Sequence, residues 1–158
     1  MKKEFKISYT HFDSKEELSI SQRDLLDKAL EAVDKAYAPY SKFKVGAAAL
    51  LDGGTIVLGN NQENIAYPSG LCAERVALFA ANANFPNKKV LKLAIAASGT
   101  LLNQESVLSP CGSCRQVMAE VAARQHVNFE IILLNPNGSV MLFDRIDDLL
   151  PFVFGNLD

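Results

Sequence analysis

Apolar and polar residues alternate through Phe5, Ile7 and Tyr9, the period of a short strand with one face covered. Lys15-Glu16-Glu17 then reads as a solvated turn. From Ser21 the period lengthens: Leu26, Leu30, Val33 and Tyr37 share one stripe of a helix, with Leu25 and Ala29 beside it. Ser21 is the expected cap and Pro39 the stop, because the residue before a proline avoids helical geometry. Residues 43–51 and 55–59 are two strand-like runs around Asp52-Gly53-Gly54, which predicts a β-hairpin whose glycines supply the positive φ of a tight turn. An alanine-rich helix is expected over 72–84. Residues 90–97 are almost continuously apolar, as in a central strand covered on both faces. Ser109-Pro110 opens another helix, with serine as cap and proline at the first helical position, running to Arg124. Residues 129–134 form a second buried strand, Asn135-Pro136-Asn137-Gly138 a turn and 139–143 a further strand. Residues 146–154 predict a short helix or turn interrupted by Pro151.

The order helix, hairpin, helix, strand, helix, strand, strand belongs to a three-layer α/β domain in which intervening helices force some strands to pair in parallel. At 158 residues, without internal repeat, linker or low-complexity segment, the chain reads as a single domain with a full core. Its composition, 49% apolar and 22% charged, is that of an ordinary globular protein. A net charge of −2 with scattered basic residues argues against nucleic-acid binding, which needs a concentrated excess of Lys and Arg. No apolar run approaches the roughly 20 residues that span a bilayer. Met1-Lys2-Lys3-Glu4-Phe5 is not followed by the apolar stretch of a secretory signal. The expectation is a cytoplasmic protein without membrane partners, whose thiols stay reduced.

That expectation bears on the three cysteines, an odd number that excludes a closed disulfide framework within one chain. Cys111 and Cys114 are three apart and share a face on a helix's first turn; Cys72, 39 residues earlier, opens another helix. Three protein ligands with a fourth position left for water is the pattern of a catalytic zinc. Two helix N-termini aimed at one point stabilise thiolates. Three thiolates around one Zn²⁺ leave a net −1, which weakens the metal as a Lewis acid, and Arg75 is placed to offset it. Glu74 is the candidate proton shuttle. It lies two residues from Cys72, so both reach one centre only if the metal sits off the end of the helix. Three cysteines buried for packing alone would leave Glu74 unexplained. By spacing alone, Asn61 and Glu63 read as the solvent side of a strand, Phe43 as a core aromatic and Phe154 as a packing residue. His11 and His126 look structural, and Tyr37 and Tyr40 look like packing residues.

The pattern Cys-Ala-Glu followed by Pro-Cys-x-x-Cys is the all-cysteine form of the zinc deaminase signature. Together with Ala36-Tyr37-Ala38-Pro39-Tyr40-Ser41-Lys42-Phe43, Val45-Gly46-Ala47-Ala48, Cys72-Ala73-Glu74-Arg75 and Ser109-Pro110-Cys111-Gly112-Ser113-Cys114-Arg115-Gln116, it closely resembles the small homotetrameric zinc-dependent cytidine deaminases. The resemblance runs from about Ser21 to the C-terminus. It implies a catalytic domain over 21–158, preceded by an N-terminal extension of unknown role over 1–20. The implied fold is an α/β/α sandwich with a mixed five-stranded sheet, assembled as a homotetramer with active sites shared between subunits. It also implies one Zn²⁺ per subunit on Cys72, Cys111 and Cys114, Glu74 as catalytic acid/base, and Arg75 tuning the zinc thiolates. The substrate contacts it implies are Asn61 and Glu63 on the ribose, Phe43 stacked beside the pyrimidine, the Ala73 backbone on the base, and Phe154 reaching a neighbouring subunit's site.

The implied activity is hydrolysis of cytidine and 2′-deoxycytidine to the uridines and ammonia by a zinc-activated water, in pyrimidine salvage. The stretch Ala66-Tyr67-Pro68-Ser69-Gly70-Leu71 departs from the more familiar spelling and is expected to reshape the pocket edge. The main rival is a deaminase of a related aminopyrimidine nucleoside such as blasticidin S, a family that lacks the arginine after Cys-Ala-Glu. Editing of single-stranded nucleic acid fits poorly with the acidic balance. A structural-zinc interaction module would require a fourth protein ligand.

Overall fold

A computed structural model describes residues 1–155; residues 156–158, at the end of the expected catalytic domain, lie outside the described residues. Six strands form one mixed sheet: β1 (Thr10–Phe12), β2 (Lys44–Leu51), β3 (Ile56–Asn60), β4 (Val90–Ser98), β5 (Glu130–Leu134) and β6 (Val140–Phe143). Their order is β1-β6-β5-β4-β2-β3. Helices α1 (Ile20–Val33), α2 (Ala73–Asn84) and α3 (Gly112–Arg124) complete the domain. β4 and β5 are the parallel pair, joined through α3, while β2–β3, β2–β4, β5–β6 and β1–β6 are antiparallel.

The side-chain alternation of the central strands builds the three layers. Ala48 of β2 and Ala94 and Ala96 of β4 face α1, where Leu25, Leu26, Ala29 and Val33 close one core. Ala47, Ala49, Leu93 and Ile95 point the other way, onto Ala77 and Leu78 of α2 and Met118 and Val121 of α3. This double covering explains the unbroken apolar run of β4. Two glycines set the layer spacing. A Cβ at Gly46 would lie 2.1 Å from the Ala29 carbonyl oxygen of α1, and one at Gly59 would lie 2.4 Å from that of Ala73 in α2. Both helices therefore rest backbone to backbone on the β2–β3 hairpin.

The sheet has six strands rather than five. The additional one, β1, lies before the expected domain and pairs along the edge with β6, Thr10 opposite Leu142 and Phe12 opposite Val140. It begins one residue after the alternating stretch 5–9. There Phe5 and Tyr9 stay about half exposed and touch Phe152 and Phe143 without entering the backbone ladder. Helix α1 starts earlier than expected because Ser19, not Ser21, caps it: the Gln22 N–H donates to Ser19 Oγ, and the Ser19 N–H donates to Gln22 Oε1. It ends at Val33, short of Tyr37, whose backbone pairs with the segment after β3 instead. Among the described residues, no helix is long and apolar enough to cross a membrane.

The close approaches at the two glycines generate a direct expectation. Gly46→Ala and Gly59→Ala each force a helix off the sheet and should cost about 3 kcal/mol, the upper end of overpacking penalties. Urea unfolding with an unchanged slope reads this as a lower midpoint; a loss below about 1 kcal/mol would contradict the packing described.

Candidate metal centre

Cys72 and Cys111 are the N-cap residues of α2 and α3, both with extended backbone angles. Neither turns its side chain back onto its helix, so both sulfurs project past the helix ends. Cys114 sits in the first turn of α3 and is fully buried. Cys72 Sγ lies 3.8 Å from Cys111 Sγ, which lies 3.5 Å from Cys114 Sγ. All three sulfurs fall within 4.8 Å of one another. A tetrahedral zinc with Zn–S bonds of about 2.3 Å requires sulfurs about 3.8 Å apart, so the cluster fits that ion. Among the described residues the group offers three donors and no fourth, which leaves a position open and disfavours a purely structural site.

The cap of α3 is Cys111, two residues beyond the expected Ser109. Ser109 and Pro110 instead form an extended lead-in held by Arg115. That guanidinium donates to the Pro110 carbonyl at 2.9 Å, the Ser109 hydroxyl at 2.6 Å and the Leu149 carbonyl at 2.7 Å. Arg115 and Asn135, whose Oδ1 accepts from the buried Leu108 N–H at 2.9 Å, carry structural roles that sequence reasoning missed. Arg115 stood within a recognisable motif but had no visible partner, and Asn135 read as an ordinary turn residue.

Charge is distributed unevenly over the sulfurs. The Cys72 thiol is lowered to about 5, first by its bond with Cys114 and then, against the cost of burial, by Arg75, whose Nη2 lies 3.7 Å from the sulfur. Cys114 is pushed up by that same bond and by its burial. A dication at the cluster reverses the second effect, because a coordinated thiol loses its proton. Arg75 Nε is buried with no hydrogen-bond partner among the described residues.

Glu74 is 5% exposed, and its carboxyl faces the same cleft as Cys72 and Cys111. Cys72 caps the helix without bonding back to it, and Cys72 and Glu74 line one cleft, the arrangement that a metal beyond the helix end would need. Burial, with the Cys72 charge as a smaller contribution in the same direction, raises the Glu74 carboxyl to about 7. It can therefore exchange a proton near neutrality.

The cleft measures about 240 Å³ and brings together Phe43, Asn61, Glu63, Cys72, Glu74 and Cys111. Val45, Ile95 and Leu108 supply apolar wall, and Ser41 and Ser109 line it as well; none of the five was singled out for this place from the sequence. A second cleft of about 530 Å³ shares Ser41, Asn61, Glu63 and Cys72 with it. Gly70 and Tyr67, from the variant stretch, line this second cleft, and Tyr67 begins a short 3₁₀ turn, Tyr67–Ser69. Asn61 bridges onto the start of β2, accepting from the Val45 N–H at 2.8 Å and donating to the Phe43 carbonyl at 2.9 Å. Glu63 accepts from the Tyr40 N–H at 2.9 Å, the Ser41 N–H at 3.3 Å and the Ser41 hydroxyl. The Ser41 hydroxyl is the leading cause that holds its carboxyl below the ordinary value. Ala73 is buried beneath Gly59. Phe154 stands apart: it is exposed and lines a different cleft beside α3, sharing no residue with the one at the sulfurs.

Comparison with known proteins agrees with this geometry. The family model for the cytidine and deoxycytidylate deaminase zinc-binding region matches residues 19–130. The cytidine deaminase of Halalkalibacterium halodurans is 37% identical over 82% of this chain and 91% of its own length. That of Mycobacterium tuberculosis is 38% identical over 83% of this chain and 87% of its own. The structure of cytidine deaminase from Burkholderia pseudomallei superposes with a TM-score of 0.72 at 37% identity, covering 87% of this chain and all of that one.

The buried carboxyl gives a pH signature in metal-stripped protein. Its folded pKa, about 7, lies above the ordinary 4.5, so native stability is fully present below 4.5 and declines as pH rises through 7. Glu74→Gln has no such decline. Thermal melts of the two stripped proteins should diverge from pH 5 to 8 in favour of the glutamine variant, by at most about 3 kcal/mol. A gap that stays constant across this range would refute the burial argument.

Proposed function

The chain belongs to the cytidine and deoxycytidylate deaminase family, and from that premise we propose that it converts cytidine and 2′-deoxycytidine with water to the uridines and ammonia. It is a hydrolase of that family, with zinc as its cofactor at the three-cysteine cluster. The observation that carries the proposal is the shared cleft: Cys72, Cys111 and a buried carboxyl raised to about 7 border one space of about 240 Å³. Zinc bound there supplies the acidity that makes water a competent nucleophile at neutral pH.

The remaining work falls to the chain's own residues. Glu74 takes a proton from the attacking water and delivers it to the ring nitrogen, N3, then takes the proton of the resulting C4 hydroxyl and passes it to the departing amine. The C4–O bond forms in the first transfer and the C4–N bond breaks in the second, so water supplies both protons, one left on N3 and one carried off in ammonia. The same carboxyl ends each cycle in its starting state, and a pKa near the working pH lets it both take and give the proton efficiently. Phe43 lies against the pyrimidine and the Ala73 backbone meets its polar edge, while Asn61 and Glu63 hold ribose hydroxyls. Arg75 draws negative charge from the Cys72 thiolate and keeps the metal electrophilic.

The proposed assembly is a homotetramer with shared active sites, working in the cytoplasm in pyrimidine salvage. Two features support the assembly. Phe154 is exposed and lines a cleft that shares no residue with the one at the sulfurs, and Ile65, Tyr67 and Phe79 present apolar surface to solvent.

Ammonia release from cytidine by the zinc-loaded protein tests the activity, and no turnover would sink it. Glu74→Gln should lower kcat by 10²–10⁴-fold, the usual worth of a proton shuttle, with zinc content unchanged by metal analysis. Loss of zinc together with activity would reassign Glu74 to holding the metal. Sedimentation should give four chains per particle, and a monomer would remove the shared-site reading.

A further inference from the structure

The family match begins at residue 19, and the segment before it makes contacts that the metal centre does not require. These contacts form one series. Phe12, His11 and Thr10 pair with Val140, Met141 and Leu142. Tyr9 packs on Phe143 with ring centres 5.5 Å apart, the Ser8 N–H donates to Asp148 Oδ1 at 3.1 Å, and Phe5 meets Phe152 at 6.0 Å. Going down from 12 to 5 on one segment goes up from 140 to 152 on the other. The N-terminal arm therefore lies antiparallel along residues 140–152.

The opposite side of that end is held by α3, through Arg115 at the Leu149 carbonyl and Gln116 at Phe154. Gln116 of α3 donates from Nε2 to the Phe154 carbonyl at 2.9 Å, and its Oε1 accepts from the Phe154 N–H at 3.1 Å. Between these anchors the tail packs little. Phe152 and Phe154 are 83% and 87% exposed, and an open cleft of about 540 Å³ borders Ala119 and Ala122 of α3 together with Val153 and Phe154. A segment without its own packing owes its position to its anchors, and untethered it would spread over many conformations.

We propose that the N-terminal arm, through Phe5, and Gln116 are positioning elements that fasten the C-terminal tail from two sides and so set how Phe154 is presented to a neighbouring subunit's site. The proposal rests on the reading that Phe154 serves that site. Neither Phe5 nor Gln116 touches the substrate; both act by removing disorder that binding would otherwise have to remove.

Phe5 is half exposed, so the fold should survive Phe5→Ala, and zinc content and the unfolding midpoint check that it does. In the zinc-loaded tetramer, amide exchange at Phe154 should accelerate about tenfold in Phe5→Ala and in Gln116→Ala. KM for cytidine should rise several-fold while kcat stays within about twofold, because the tail affects binding more than chemistry. Phe5→Tyr, which keeps the ring, should restore both. Unchanged exchange in Phe5→Ala overturns the fastening. Faster exchange with an unchanged KM overturns the positioning role, provided Phe154→Ala itself raises KM. If Phe154→Ala leaves KM unchanged, the shared-site reading fails and takes the presentation step with it, while the exchange data still decide whether the arm holds the tail.

Discussion

Two helices end nose to nose at three sulfurs, and that meeting is the constraint around which the rest is arranged. A helix N-terminus carries unpaired N–H groups and a partial positive charge, so two of them brought together repel unless negative charge lies between. Cys72 and Cys111 supply it from the cap positions, where serine or aspartate would ordinarily fold back onto the helix. By leaving the caps unsatisfied within their own helices, the chain directs both sulfurs outward to one point. The cost is carried elsewhere. Gly59 lets α2 press its first turn onto β3, and Arg115 clamps the lead-in to α3, so the two ends cannot drift apart.

The same convergence sets the electrostatics. Three thiolates exceed the charge of one dication, and the structure answers with one guanidinium directed at one sulfur. Glu74 has the opposite problem. It adds a further acid to a region already rich in negative charge, and burial keeps its proton bound at pH values where an exposed glutamate would have lost it. An acid that holds its proton until near neutrality is useless as an ion-pair partner and suited to passing protons. The energetic penalty of burying Glu74 and its proposed chemical role therefore have one cause.

Much of this was readable in the sequence because it is local. The hairpin glycines, the apolar run of β4, the helix over 73–84 and the Cys-x-Glu and Cys-x-x-Cys spacings each declare themselves within a few residues. What was not readable depends on partners far along the chain. The edge strand Thr10–Phe12 exists because β6 offers an open ladder, 130 residues away by register with Met141. Ser19 outcompetes Ser21 because Gln22 stands three positions later to complete the reciprocal bonds, a local signal that the apolar stripe obscured. Asn61 and Glu63 looked idle beside a strand, since nothing in their spacing shows that the 40–45 segment folds over them.

Those two residues also show how such a site can be polar and still favourable to enter. Asn61 has committed one Nδ2 hydrogen and one Oδ1 lone pair to the β2 backbone, and Glu63 has committed its carboxylate to the turn at Tyr40 and Ser41. An amide has four hydrogen-bonding positions and a carboxylate about four, so each keeps capacity to spare. A ribose would meet groups already fixed in place, with little side-chain freedom left to lose and only part of their hydration to strip. What remains open on the pair is complementary: a donor and an acceptor on Asn61, about one acceptor position on Glu63. A hydroxyl, which both donates and accepts, satisfies either partner, whereas a hydrogen in its place leaves a fixed polar atom bare at a cost larger than the bond was worth. Discrimination at the sugar would therefore follow from which hydroxyl each residue faces, and the scaffold bonds that make the pair look merely structural are what would make it selective.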